Sequence, residues 1–175
     1  MNVSQLKPFI VNITVSLTIV VTLFISSPLW ADENGNFTEK LSFDDKLNHA
    51  DNIRSSQPKQ FIVLINELNQ HANSLSNSQQ HSLDYLNLYL LIYQGNLAEA
   101  INSAKALINS NADTLLKFRT KISLVNIFAI NQNWSEGLST LSTLLTELPL
   151  IEDKHSHHQG LLIAAIFYNL LGQYD

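Results

Sequence analysis

Three histidines lie close together in the last third of the chain, at positions 155, 157 and 158. Imidazole nitrogens bind zinc and copper, and the neighbouring carboxylates of Glu152 and Asp153 could complete a set of metal ligands. On a helix only residues three or four apart share a face, so His155 and His158 lie together while His157 points elsewhere. The spacing therefore favours a solvated helix start, and we predict no metal site and no cofactor.

Other catalytic patterns are absent from the sequence. It has no nucleophile elbow, no glycine-rich phosphate loop and no HExxH motif, and it contains no cysteine. The formal net charge is -5 and no basic cluster occurs, so a phosphate backbone would be repelled. We therefore expect no catalytic activity in these 175 residues and no binding of nucleic acid.

From Phe43 onward the apolar residues recur at helical spacing, and capping signals divide the rest of the chain into seven segments. The expected helices run from Phe43 to Ile53 or Arg54, from Pro58 to His71, from Ser76 to Gln94, from Asn96 onward, from Ala112 or Asp113 to Ile130, from Asn133 to Pro149, and from Glu152 to Leu171. The motif from Ser76 to Gln79 is a capping box. The pairs Asn96 with Glu99 and Asn133 with Glu136 are predicted to open their helices by related chemistry.

One short pattern occurs three times, each time directly after a long apolar run. The copies read YQGNLAEAI (Tyr93 to Ile101), NQNWSEGLS (Asn131 to Ser139) and LGQYD (Leu171 to Asp175). A turn residue and one further position precede Leu97, Trp134 or Tyr174, and a small residue follows three positions later at Ala100 and Gly137. Loops this short join antiparallel helices. The sequence therefore predicts an all-α fold, a stack of antiparallel helical hairpins with about seven helices.

This pattern resembles the tetratricopeptide family. The glycine before the turn matches at Gly95 and Gly172 but is replaced by Gln132 in the middle copy, and the proline that closes a repeat matches at Pro149. The resemblance implies a tetratricopeptide-like repeat domain over residues 43–175, with Trp134 as a packing residue at the turn.

In that family the first helix of each hairpin faces a ligand groove. The resemblance places five residues there: Tyr85, Tyr89, Arg119, Asn126 and Asn169. Tyrosine supplies rigid contact area with a polar tip, and Arg119 could hold a carboxylate. The alternative is that the tyrosines belong to the core and that Arg119 pairs with a neighbouring acid.

The amino terminus has the order of a secretory signal. Lys7 comes first, an apolar run of 17 residues from Phe9 to Ile25 follows, and Ala31 is small enough to precede a cleavage site. A run of this length is also the lower limit for spanning a bilayer. Residues 1–31 are therefore predicted to be a cleaved signal peptide or an uncleaved anchor, with a buried core helix as a third reading. Residues 32–42 are predicted to be a linker, and the protein is expected to be exported to the periplasm.

Four stretches together are similar to the extracytoplasmic part of bacterial membrane-bound signalling proteins that carry tetratricopeptide-like repeats ahead of a diguanylate cyclase (GGDEF) domain. They are ADNIRSSQPKQF (Ala50 to Phe61), YLNLYLLIYQGNLAEAI (Tyr85 to Ile101), LKFRTKISLVNIFAI (Leu116 to Ile130) and LLIAAIFYNLLGQYD (Leu161 to Asp175). This resemblance implies a periplasmic sensory or protein-interaction module that binds a peptide, protein or small ligand. Its membrane attachment would come from a signal anchor or from a transmembrane helix of a parent cyclase.

Two other functions fit the same residues. One is a free-standing periplasmic tetratricopeptide scaffold, and the other is the sensor region of another signalling protein such as a histidine kinase. Asp175 falls where the cap of an eighth helix is expected. The repeat domain is therefore expected to be truncated at its C-terminus, with one flank of the seventh helix uncovered.

Overall fold

The structure, a computed structural model, describes residues 41–172 of the chain. This range contains seven α-helices, two short 3₁₀ helices and no strand. The α-helices are α1 Phe43–Ile53, α2 Pro58–Gln70, α3 Asn77–Tyr93, α4 Leu97–Asn109, α5 Thr114–Ile130, α6 Trp134–Glu147 and α7 Lys154–Leu171, and the 3₁₀ helices are Ala72–Ser74 and Leu148–Leu150. The prediction of an all-α fold with about seven helices is confirmed for these residues. The predicted signal segment, residues 1–31, lies outside them.

Several helices begin as the sequence indicates. Ser76 and Gln79 form the predicted capping box, with the Gln79 N–H 3.3 Å from Ser76 Oγ and the Ser76 N–H 3.0 Å from Gln79 Oε1. Pro58 occupies the first turn of α2, where its missing N–H leaves no bond unmade. At the start of α5, Asp113 Oδ1 accepts a hydrogen bond of 2.9 Å from the backbone N–H of Leu116.

The predicted side-chain caps at Asn96 and Asn133 are wrong, although α4 and α6 begin at the next residue in each case. Neither side chain accepts a hydrogen bond from the first turn, and the Asn133 amide instead donates to the Glu136 carboxylate. The backbone explains the difference. Its ψ is 57° at Asn96 and 73° at Asn133, whereas ψ is 163° at Ser76, the extended conformation in which a capping side chain reaches the first turn.

One turn geometry connects α3 to α4 and α5 to α6. Gly95 and Gln132 have positive φ angles of 77° and 56°, and in both turns the following asparagine donates its backbone N–H over 2.9 Å to the carbonyl five residues earlier. This is the Schellman motif that ends many helices. Gln132 thus adopts the conformation of the glycine missing from the middle copy. In the third copy Gly172 has a φ of -67° and does not form this turn within the described residues.

Two apolar clusters form the core, and α5 contributes to both. Leu116, Leu124 and Phe128 of α5 join residues of α1 to α4 in the first cluster, whereas its Phe118, Val125 and Ala129 join residues of α6 and α7 in the second. Helix α5 contacts α3, α4, α6 and α7. A helix with neighbours on so many sides must be apolar around most of its circumference, as its sequence is.

Small residues allow close helix crossings in the second cluster. A Cβ atom at Gly137 of α6 would lie 2.5 Å from the Phe167 ring of α7 and 3.2 Å from Phe128 Cβ of α5. Trp134 packs beside this crossing, with its ring centre 5.8 Å from that of Phe167. The missing side chain of Gly137 therefore allows α6 to approach α5 and α7 closely. The corresponding residue of the preceding copy, Ala100, is fully buried.

Helix α7 is covered on one side. Its buried residues Ile163, Ala164 and Phe167 belong to the second cluster, while its other side exposes Leu161, Leu162 and Tyr168, each to about half of its surface. Neither α7 nor any other helix in residues 41–172 combines the length and apolar character needed to cross a bilayer.

The turn after α5 predicts a stabilising substitution. A residue other than glycine is less stable in the left-handed region by about 1–2 kcal/mol. Replacing it with glycine recovers only part of this free energy, because glycine loses more conformational entropy on folding. We expect Gln132→Gly to raise the free energy of unfolding, measured by urea denaturation, by about 0.5–1 kcal/mol. Asn131→Gly is the control, because φ at Asn131 is -83° and a glycine there relieves no strain. A loss of stability in both variants would contradict this account of the turn.

Candidate functional site

Three helices bring one polar cluster into an otherwise apolar core. Each contributes two side chains spaced three or four residues apart, so that each pair shares a helix face. The pairs are Asp51 of α1 with Arg54 at the C-cap of that helix, Tyr85 and Tyr89 of α3, and Arg119 and Ser123 of α5. We refer to these six residues as the arginine-tyrosine cluster. Helix α3 contacts both α1 and α5, so the cluster lies where the three helices meet.

At the centre of the cluster, two guanidinium groups share the carboxylate of Asp51. Arg119 Nη2 donates to both carboxylate oxygens, over 2.8 Å and 2.6 Å. Arg54 Nη1 donates to the same carboxylate and, over 2.9 Å, to the backbone carbonyl of Asp51. The exposed fraction of the side chain is 12% for Arg54, 21% for Arg119 and 26% for Asp51. Two positive charges and one negative charge therefore leave a surplus of one positive charge in a largely buried place.

Both arginines keep donors that the described residues do not use. A guanidinium has five N–H donors. The Nε atoms of Arg54 and Arg119 are buried without a hydrogen-bond partner. Arg119 Nη1 likewise makes no hydrogen bond to another described residue. Buried donors without acceptors are destabilising, so an acceptor at the two Nε atoms would stabilise the cluster.

The hydroxyl groups of the cluster form a chain of hydrogen bonds. Ser123 Oγ donates to the Arg119 carbonyl over 3.2 Å and lies 2.9 Å from Tyr89 Oη, which lies 3.1 Å from Tyr85 Oη. In the Tyr89–Ser123 and Tyr85–Tyr89 pairs either oxygen can be the donor. The chain links α3 to α5 whichever way its protons point.

The tyrosine rings also contact the arginines. The guanidinium carbon of Arg54 lies 4.7 Å from the ring centre of Tyr89, and that of Arg119 lies 4.8 Å from the ring centre of Tyr85. These are distances at which a cation is attracted to an aromatic face. The tyrosines therefore hold the two cations in place without neutralising them.

Electrostatics keeps these charge states fixed. Burial raises the pKa of Tyr85, and the neighbouring Tyr89 raises it further, against the opposing effect of the two arginines. Burial alone would lower the pKa of Arg119, but Tyr85 and Asp51 outweigh that effect and the pKa rises. Burial also lowers the pKa of Arg54, but Tyr89, Tyr85 and Asp51 outweigh it and the pKa rises. Near neutral pH the tyrosine is therefore neutral, both arginines are charged, and the positive surplus persists.

A small cavity of about 90 Å³ opens beside the cluster, between α1, α3 and α5. Asp51, Tyr85 and Arg119 line it together with the apolar side chains of Leu47, Leu86 and Leu116. Sites for whole small molecules usually measure about 300–1,000 Å³. This cavity therefore has room for one small chemical group of a ligand.

The structure brings together three of the five predicted groove residues, Tyr85, Tyr89 and Arg119. Asn126 lies on α5 one turn beyond Ser123, half-buried on the same stripe, and makes no hydrogen bond to the cluster. Asn169 is exposed on α7, a different helix. The role of all five in binding a ligand stays a prediction.

Sequence reasoning missed Asp51, Arg54 and Ser123. Asp51 and Arg54 border the buried stripe of α1 at the i,i+3 spacing of an ion pair, which was an available signal. The contact of Asp51 with Arg119 joins residues 68 positions apart. No local pattern predicts that contact, because it depends on how α1 and α5 pack around α3.

The histidines of α7 contact residues of their own helix. His155 Nε2 lies 2.9 Å from Gln159 Nε2, and the rings of His157 and His158 are 6.3 Å apart. In residues 41–172 no three side chains of histidine, cysteine, aspartate or glutamate are placed to hold an ion.

A second depression of about 230 Å³ lies between α4, α5 and α6 and is lined by Lys105 and Lys121. Each lysine has its own carboxylate partner. Lys105 is 3.3 Å from Glu136, and Lys121 is paired with Glu147. Charges are balanced there, so the cluster of α1, α3 and α5 is the stronger candidate site.

Comparisons of the chain with protein-family models, with curated proteins and with solved structures find no match. The tetratricopeptide and cyclase resemblances therefore remain expectations. The function has to be argued from the geometry and charge of the arginine-tyrosine cluster.

The shared carboxylate predicts an unusually large loss of stability on its removal. We expect Asp51→Asn to lower the free energy of unfolding by about 2–3 kcal/mol, because two largely buried cations lose their anion. Glu147→Gln is the matched control, since it leaves one cation, Lys121, whose flexible stem can reach water. Urea denaturation of both variants measures the difference. A loss in Asp51→Asn no larger than in Glu147→Gln would show that the shared ion pair is not a structural centre.

Proposed function

We propose that residues 43–175 form a tetratricopeptide-like stack of antiparallel hairpins that binds a ligand at the arginine-tyrosine cluster, as a periplasmic sensory or protein-interaction module. The contacts along α5 and α6 support the stack. Lys121 of α5 pairs with Glu147 of α6, and seven residues later Phe128 meets Gly137, so sequence numbers rise on one helix as they fall on the other.

The contacts between α6 and α7 are also those of antiparallel helices. Gly137 meets Phe167, whereas Leu144 lies 3.5 Å from the Cβ position of Gly160. Helices α5, α6 and α7 thus have the contacts expected of one helical hairpin followed by the first helix of the next. The three-residue turns before α4 and α6 add support, because both use the same Schellman geometry.

The positive surplus of the cluster is the single observation that carries the binding role. A purely structural ion pair balances its charges, as Lys121 and Glu147 do. Arg54 and Arg119 instead share one carboxylate beside a cavity and keep unused donors. An acceptor supplied by a ligand would complete this arrangement, and that favours a binding site.

The sensory part of the proposal rests on the N-terminal segment and on the resemblance to cyclase-linked repeat regions. Export to the periplasm follows from the order of Lys7, the apolar run from Phe9 to Ile25, and Ala31. The parent protein would be a membrane-bound diguanylate cyclase. A ligand changes the association of such a parent only by binding one packing of the helices more tightly than another.

Blocking the cavity tests the binding role whatever the ligand is. Ligands are selected on the wild-type chain from a random peptide library and from a mixture of small metabolites. Ser82 lines the cavity, so we expect Ser82→Trp to weaken binding of the selected ligands at least about tenfold, a change of about 1.4 kcal/mol. Ser78→Trp, one turn earlier on α3 at an exposed position, is the control and should bind within about twofold of wild type. Ligands that bind both variants equally well would exclude this cavity as the site.

The codons that follow Asp175 in the gene separate the sensory role from its alternatives. A further helix, a membrane span and a cyclase domain support the proposed parent, and a kinase domain supports the histidine-kinase alternative. A stop codon supports the free-standing scaffold.

A further inference from the structure

The second depression, between α4, α5 and α6, has a different chemistry from the arginine-tyrosine cluster. We propose that it binds a neutral ligand with several hydroxyl groups, either a saccharide ring or an acyclic polyol. We refer to this depression as the hydroxyl groove, because Ser139, Thr140 and Thr143 of α6 line one of its walls. The inference is independent of the binding role proposed for the cluster, since the two sites share no lining residue.

The hydroxyl groove contains charged groups but no net charge. Lys105 lies 3.3 Å from Glu136, and Lys121 is paired with Glu147. In both pairs the lysine lines the groove and the glutamate belongs to α6. A charged ligand that entered the groove would lose hydration without gaining an unpaired charge of opposite sign. The balance therefore favours a neutral ligand over an anion or a cation.

The volume of the groove, about 230 Å³, limits the size of the ligand. This is less than the range of about 300–1,000 Å³ that is usual for drug-sized molecules, and it equals the share of liquid volume of roughly eight water molecules. A single sugar ring or a short polyol is of this size. Ile108 of α4 and Leu124 of α5 supply apolar surface against which the C–H groups of such a ligand would pack.

The threonines of α6 present hydrogen-bond acceptors to the groove. Thr140 Oγ1 donates its proton over 2.8 Å to the backbone carbonyl of Glu136. Thr143 Oγ1 donates over 3.3 Å to the backbone carbonyl of Ser139. A carbonyl has no proton to give and a hydroxyl has only one, so both threonine oxygens keep only lone pairs for a ligand. The ligand must therefore supply donors to the α6 wall.

The rest of the groove presents hydrogen-bond donors. An ammonium group has three N–H donors, and the ion pairs use one of Lys105 and one of Lys121. Asn109 of α4 adds an amide, which has two donors and an acceptor. The ligand must therefore accept hydrogen bonds on the side of α4 and α5 while it donates to α6. Hydroxyl groups do both, and a polyol carries them around its whole rim.

Filling the groove tests whether it is the site. Ser139 is exposed and lines the groove, so Ser139→Trp should weaken binding at least about tenfold. Ser142→Trp is the matched control, because it adds the same side chain to α6 at an exposed position outside the groove lining, and it should bind within about twofold of wild type. Replacing Thr140 and Thr143 together with valine removes both acceptors and should also weaken binding about tenfold.

The measurement is an NMR titration of the full chain, labelled at the methyl groups of isoleucine and leucine, in a zwitterionic detergent without a sugar headgroup. D-glucose, D-galactose and sorbitol are added to about 0.1 M, which saturates a site with a Kd of about 10 mM. We expect saturable shifts of the Ile108 and Leu124 methyl resonances. Tighter binding of a sugar than of sorbitol indicates a ring as the ligand, and the reverse order indicates an acyclic polyol.

A charge series tests the predicted neutrality. Each sugar has an acidic counterpart, the uronate, and a basic counterpart, the 2-amino sugar, and both should bind wild type more weakly than the neutral form. The Lys105–Glu136 pair joins α4 to α6, and both side chains are about half exposed. Glu136→Gln leaves Lys105 without its anion, so the variant should bind the uronate about threefold more tightly than wild type does.

Three results would overturn the inference. The first is that neither sugar nor sorbitol binds saturably to wild type. The second is that the uronate, the amino sugar or the neutral amide N-acetylalaninamide binds wild type more tightly than every neutral polyol. The third is that Ser139→Trp binds as well as Ser142→Trp. Should the double valine variant fail to fold, the two tryptophan variants still decide the question, because both substitutions are at exposed positions.

Discussion

The carboxylate of Asp51 holds together helices that are far apart in sequence. It receives hydrogen bonds from Arg54 on its own helix and from Arg119 on α5, and the tyrosines of α3 pack against both guanidiniums. A largely buried anion of this kind cannot be removed without leaving cations unpaired, so the packing of α1, α3 and α5 depends on it. The same contact leaves one positive charge in excess, and the candidate function follows from that excess.

Helix α5 sets where such a site can be. It contributes to both apolar clusters and packs against α3, α4, α6 and α7, which leaves little of its circumference for polar residues. Its polar stripe consists of Arg119, Ser123 and Asn126, at the spacing of one helix face. Polar atoms enclosed in this way need partners. Arg119 has its partner on α1, and Ser123 has its partner on α3. The guanidinium nitrogens that have no partner are the reason for proposing a ligand.

Much of the fold could be predicted because its signals are local. The capping box at Ser76, the proline at the start of α2 and the short turns each act within a few residues, and the structure has them where the sequence indicates. The predicted caps at Asn96 and Asn133 failed because the preceding Schellman turn sets their ψ angles, a backbone effect that side-chain identity does not reveal. The site was predicted only in part. Tyr85, Tyr89 and Arg119 stand out on their own helices, whereas Asp51 became visible only once α1 and α5 were packed around α3.

A double-mutant cycle between Asp51 and Arg119 tests the central contact most directly. The free energy of unfolding is measured for wild type, Asp51→Asn, Arg119→Gln and the double variant. The cycle removes the separate effects of each substitution and leaves the coupling between the two side chains. A stabilising coupling of about 1–3 kcal/mol is the result that this account predicts. Additive losses, with a coupling near zero, would contradict it, because α1 and α5 would then be held together by apolar packing alone.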